Sequence, residues 1–140
     1  MTMWKVTVCP DENANAWQSF LDEGIIAIGY PGSEEKQVVK KFSSIQEGDL
    51  VVAHLSSKRN HVTKTAAGVG RVMGEYRVVK DLPANVWSDG PRRQLDVQWL
   101  ATRDIKLEIV LGCRSVYGPT VVKLSDELAA QVLAAYGLDR

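Results

Sequence analysis

Cysteine and histidine are nearly absent from this chain, and each scarcity closes a class of chemistry. Only Cys9 and Cys113 occur, far apart and outside any Cys-x-x-Cys or Cys/His spacing, so neither a zinc site nor a disulfide scaffold is expected. They read as two reduced, buried thiols. His54 and His61 are the only histidines, which leaves little from which to build a hydrolytic triad. Net charge is missing too: 17 basic and 17 acidic side chains balance, so no whole-molecule field draws the protein onto a polyanion. No run of about 18 apolar residues occurs, and the opening stretch MTMWKVTVCP lacks a leader pattern, so the expectation is a cytoplasmic protein. Linkers, repeats and low-complexity segments are lacking as well. With 45% apolar residues in a chain of 140, residues 1–140 read as a single domain with one real core.

Nucleotide and nucleophile motifs also fail. Gly68, Gly70 and Gly74 in GVGRVMG have G-x-G-x-x-x-G spacing with no helix pattern behind them, which fits a bent strand better than a phosphate loop. There is no G-x-x-x-x-G-K-[ST], no H-E-x-x-H and no G-x-S-x-G. Asp49, following Gly48 at a turn, is expected to accept backbone N–H bonds instead of moving protons. No catalytic residue, metal or cofactor is therefore expected. Any nuclease or NTPase activity would belong to a partner or a fused domain.

MWKVTV alternates as a first strand does. In NANAWQSFLDEG the spacing of Trp17, Phe20 and Leu21 marks one face of a short helix, with Gly24 placed for a left-handed cap. IIAIGY is a buried strand stopped by Pro31 and Gly32, and Ser33 then opens a second helix with Val38, Val39, Phe42 and Ile45 as its apolar stripe. DLVVAHL and AAGVGRVMGEYRVV read as two strands, the second long and glycine-bearing, and LDVQWLA as a half-buried third. A short strand TVVKL and a last helix, capped by Ser125 and closed by Gly137, complete an α+β arrangement: a small curved sheet or barrel flanked by helices.

One constellation remains. Lys58, Arg59, His61 and Lys64 crowd the ten residues Ser56–Thr65 with no acid among them. Lys58, Arg59 and Lys64 suit phosphates, and Ser56, Ser57, Asn60 and His61 can donate to phosphate or base edges. Arg92 and Arg93 add two further bases counted among candidate phosphate or groove contacts. Four tryptophans supply flat surfaces of the kind on which bases stack, each stack being worth about 1–3 kcal/mol. Trp17, beside Phe20 and Leu21, reads first as core, although it is kept among the pocket candidates.

The blocks WQSFLDEGIIAIGY, FSSIQEGDLVVAHLSS, AAGVGRVMGEYRV and RQLDVQWL, in that order, resemble the EVE domain of the PUA-like superfamily, particularly the N-terminal reader domains of McrB-type, modification-dependent restriction enzymes. The resemblance covers most of residues 4–100. It implies a PUA-like fold with a concave side that accepts a base swung out of a DNA duplex, without chemistry on the base. Carried onto this chain, it implies a pocket of Ile28, Gly29, Tyr30, His54 and Ser56, with Tyr30 and Trp99 as walls. His54 stands where related domains often have tyrosine. The function expected is a DNA-binding reader of a modified, methylated base, serving as the specificity module of a restriction system with an associated nuclease or motor. Two rivals stay open: an RNA-binding PUA-like domain, and an enzyme acting on a small ligand in the same cavity.

Overall fold

Strand alternation determines which core each side chain joins. In the computed structural model, which describes residues 2–8, 16–29, 37–55, 65–83, 91–106 and 121–138, β1 (Met3–Val8) sends Trp4, Val6 and Val8 to one face and Met3 to the other. β3 (Leu50–Leu55) does the same with Val51 and Ala53 against Leu50 and Val52. Both faces of the sheet are therefore covered, which is why these strands are apolar almost throughout.

The remaining strands are β2 (Ile25–Gly29), β4 (Thr65–Val72), β5 (Arg77–Val79), β6 (Arg92–Ala101), β7 (Ile105–Lys106) and β8 (Val121–Lys123). They form one mixed sheet in the order β2-β6-β4-β3-β1-β8, with β5 on β6 and β7 on β4. β1 and β3 run parallel, and the other pairs are antiparallel. β6 pairs with β2 and β5 along its first half and with β4 along its second, so the sheet curls around it into a half-barrel. The described residues form three helices, α1 (Ala16–Glu23), α2 (Gln37–Ser43) and α3 (Asp126–Ala135).

The expected elements are found, with one split, while the expected stop at Pro31 and Gly32 and the Ser33 opening of α2 lie outside the described residues. The single long strand expected over AAGVGRVMGEYRVV is two, β4 and β5, separated at residues 73–76. Met73 N still bonds Asp96 O (2.8 Å), after which the chain turns and β5 pairs with the earlier half of β6. Gly24 adopts φ 68° behind α1, as its cap position requires. Asp49 accepts from Gln46 N and from the Trp4 indole, both at 3.0 Å, which fixes the turn into β3.

An inner core, inside the curl, takes residues from every strand of the main path together with Phe20 of α1 and Phe42 of α2. An outer core lies between the sheet and α3. There Ser125 caps α3 by accepting from Leu128 N (3.2 Å). Buried Tyr136 closes the helix, donating from its hydroxyl to Arg103 O (3.0 Å) beneath the Arg103 guanidinium, 5.3 Å from the ring centre.

Burial, aided by Asp104 and opposed by Arg103, pushes the Tyr136 hydroxyl up to about 12. A raised phenol favours the neutral folded form. Its contribution is complete below the ordinary tyrosine value near 10 and is lost as pH rises through about 12. Tyr136→Phe is expected to lower stability by about 1 kcal/mol at neutral pH. Urea unfolding between pH 9 and about 12 should then show a flatter decline in this variant than in the wild type. Parallel declines would show that Tyr136 is not the group responsible.

Candidate nucleic-acid interface

Two consecutive inward positions of β4 carry no side chain. A Cβ at Gly70 would come 2.2 Å from Val97 Cγ1 and 3.0 Å from Trp99 Cε3. One at Gly68 would come 3.0 Å from Ala101 O and 3.3 Å from Trp17 Cη2. Trp17, from α1, and Trp99, from β6, thus lie against bare β4 backbone. Their ring centroids are 4.9 Å apart with an interplanar angle of 79°. Both are only partly buried, at the edge of the inner core. The result is a corner of two flat, nearly perpendicular aromatic surfaces, the form in which a planar ring can stack on one indole and meet the other.

The corner is tied down from behind. Trp99 Nε1 donates to Phe20 O (3.2 Å), and Val97 N donates to Gly24 O (2.8 Å), so β6 holds α1 near its C-terminal end. Arg92 grips Glu23 with two guanidinium nitrogens at 3.1 and 3.3 Å, while its Nε donates to Gln94 Oε1 (2.8 Å).

Of the described residues expected at the site, the structure brings Trp99 to Trp17 and not to Ile28, Gly29, His54, Arg92 or Arg93. Trp17, whose helical face reads as core filling, stands partly exposed at the core's edge against Trp99. His54 points to the outer face, 1% exposed, with its Nδ1 3.3 Å from Thr7 Oγ1. Thr7 Oγ1 in turn accepts from the buried Lys5 ammonium (2.9 Å). The sheet separates this polar chain from the indoles. Ile28 is buried in the inner core opposite Arg93, and Gly29 pairs with Arg92, at the far end of β6 from Trp99. Arg92 and Arg93, at 4% and 2% exposure, are enclosed where β2 and β5 flank β6 on both sides. That placement corrects the expectation that they face phosphates. Tyr30, Ser56, Ser57, Lys58, Arg59, Asn60, His61 and Lys64 lie outside the described residues, as do Cys9 and Cys113.

The roots of the basic segment are described. It leaves β3 at Leu55 and enters β4 at Thr65, which pair with each other. Thr65 precedes Gly68 by three residues, roughly 10 Å of strand. Thr65 also pairs with Lys106, an exposed base that no sequence pattern singles out. Because its neighbour Ile105 faces the outer core, alternation puts Lys106 on the side of the indoles. Two residues of strand are too few to show a period, so nothing local to Lys106 marks its place. On the outer side, Thr2, Met3, Leu50, Asp126, Ala129, Ala130 and Leu133 line a cavity of about 210 Å³. Its one ionisable group, Asp126, has no base beside it in the lining. Among the described residues no cluster of metal-ligating side chains occurs, and no helix is long and apolar enough to cross a membrane.

No protein-family model matches the chain, and a search of curated proteins finds no match. Solved structures do match. The Mmi1 YTH domain superposes with a TM-score of 0.67 at 15% identity, over 97% of this chain and 75% of its own. The Pho92 YTH domain, solved in complex with m6A, gives 0.63 at 11% identity over 96% of this chain and 82% of its own. Rpa0253 from Rhodopseudomonas palustris gives 0.62 at 15% identity over 100% and 96%. The chain thus has the α+β, PUA-like fold of YTH domains, a curled half-barrel with helices packed on it.

The glycines can be tested without a ligand. Gly70→Ala is expected to cost about 1–3 kcal/mol, because its Cβ would overlap Val97 Cγ1 and crowd Trp99 and the Gln98 carbonyl. Gly68→Ala should cost less and shift Trp17 outward. Urea midpoints and tryptophan emission check both; equal, negligible effects would mean that the indoles do not rest on β4 as described.

Proposed function

We propose that this domain is a reader of modified nucleobases, in which an everted base lies in the corner of Trp17 and Trp99 while the basic segment Ser56–Thr65 and Lys106 hold neighbouring phosphates. The observation that carries the proposal is the partly exposed pair of indoles at 79° over a strand bare at Gly68 and Gly70. Residues 1–140 act as one binding module, with no reaction of their own. In support, the fold is that of YTH domains, and one of these was solved with m6A and another, from Zygosaccharomyces rouxii, with N6-methyladenosine RNA.

Magnitudes constrain the mechanism. Extruding a base from a duplex costs a few kcal/mol. Two aromatic contacts return about 1–3 kcal/mol each, so the corner roughly offsets extrusion and leaves little over. A methyl group adds about 0.8 kcal/mol if fully buried, a few-fold preference. Phosphate contacts must therefore supply most of the net affinity, and the balanced net charge requires them to be local. Biological use then calls for several copies or a fused effector.

Two nucleic acids fit this account. The EVE-type sequence blocks support duplex DNA and a role as the specificity module of a modification-dependent restriction system. The RNA-bound YTH structures support RNA, and a single strand spares most of the extrusion cost. Binding to matched DNA duplexes and matched RNA strands that differ only in the modification, at one stated salt concentration, separates them. Preference for a modified base in one of the two is expected; no preference in either ends the proposal.

Trp99→Ala and Trp17→Ala should each weaken binding of the modified ligand by about 1–3 kcal/mol and erase most of the preference. Replacing Lys58, Arg59 and Lys64 with Ala should instead weaken modified and plain ligands alike. The slope of log K against log salt should then fall by about one for each phosphate no longer neutralised. A salt slope that does not change would take the segment out of the interface.

A further inference from the structure

We propose that the Glu23–Arg92 ion pair is a latch that positions Trp17 against Trp99, and so sets how well the corner distinguishes one base from another. The consequence for recognition rests on the base-reader proposal; the latch itself does not.

α1 has little to hold it in place by itself. It is eight residues long, shorter than helices that persist alone in water. Its last turn holds Asp22 and Glu23 and no base, which places negative charge at the negative end of the helix dipole. Asp22 meets Gln18 Nε2 (2.9 Å) on the exposed side. Glu23 turns instead toward β6, where the Arg92 side chain is 5% exposed while Glu23 remains 43% exposed. A residue unfavourable for its own helix is thus compensated from another element, a local conflict that points to a role beyond helix formation.

The attachments of α1 described above share one strand. Arg92, Val97 and Trp99, all on β6, reach Glu23, Gly24 and Phe20 respectively. Trp17 lies on the helix being held and Trp99 on the strand that holds it, so the angle between the indoles is inherited from this strapping. Removing the Glu23 charge leaves the Arg92 guanidinium enclosed without this anion, which loosens the end of α1 before it affects the sheet. The corner is then less ordered before binding, and the cost of ordering it falls on any ligand the indoles hold. Phosphate contacts at the hairpin root, on other strands, are spared.

The latch is read by far-UV exciton circular dichroism, which reports the coupling of two close, angled indoles and needs no ligand. Trp17→Phe identifies that signal. Glu23→Gln is expected to reduce the couplet to less than half, with the sheet signal retained. The few-fold ratio of affinities for modified and plain ligands should fall toward one, while the salt slope stays the same. A couplet of wild-type size in Glu23→Gln overturns the latch. A reduced couplet with undiminished selectivity overturns its link to recognition. If Glu23→Gln does not fold, Arg92→Lys, which keeps the charge without the two-point grip, replaces it, and an undiminished couplet there overturns the latch equally. A wild-type protein selective for no modification defeats the base-reader proposal alone, since the couplet still decides the latch.

Discussion

Contact between β6 and the bare backbone of β4 at Gly70 is the constraint on which the rest depends. Val97 and Trp99 occupy the space where any other residue would place a Cβ. Because these side chains sink onto β4, the long strand β6 can serve β4 with one half and β2 and β5 with the other. The curl follows from that sharing. So does the corner, since Trp99 comes to rest where Trp17, one glycine further along β4, also has bare backbone beneath it.

The two faces of the sheet then diverge in character. The inner face ends in aromatic surface at its edge, beside the roots of the basic segment. The outer face carries a buried polar chain of Lys5, Thr7 and His54 at one end, and α3 with Tyr136 at the other. Fold likeness to YTH domains fixes the architecture and not the ligand, because a fold hosts whatever site its side chains build. The side chains that bear on a site here are the pair of indoles, those of the strap between α1 and β6, and the exposed base Lys106 opposite Thr65.

Much of this is legible in the sequence where the signal is local. Alternation in MWKVTV and LDVQWLA, the apolar spacing of α1 and α2, the Ser125 cap and the glycine ending of α1 all depend on neighbours a few residues away, and each is found in the structure. The role of Asp49 is also local, a turn acid that accepts N–H groups. The break between β4 and β5 is not, because both halves are strand-like and only their shared partner β6 separates them. Trp17 looks like core because its helical face is apolar, and nothing nearby in sequence reveals that the core ends at its ring. Arg92 and Arg93 look available because charge usually means exposure; their enclosure depends on β2, β5 and Glu23, all remote in sequence.

The amino-acid sequence alone determined most of the helices and strands, the Ser125 cap and the glycine ending of α1, since short-range sterics and hydrophobic periodicity decide these. The tertiary structure alone decided which aromatic residues meet, which bases are withdrawn into the fold, and which face His54 occupies. Those outcomes depend on register, on two bulged strand pairings and on the close approach of backbones far apart in the chain. A one-residue shift in register turns a side chain to the opposite face without changing any local pattern.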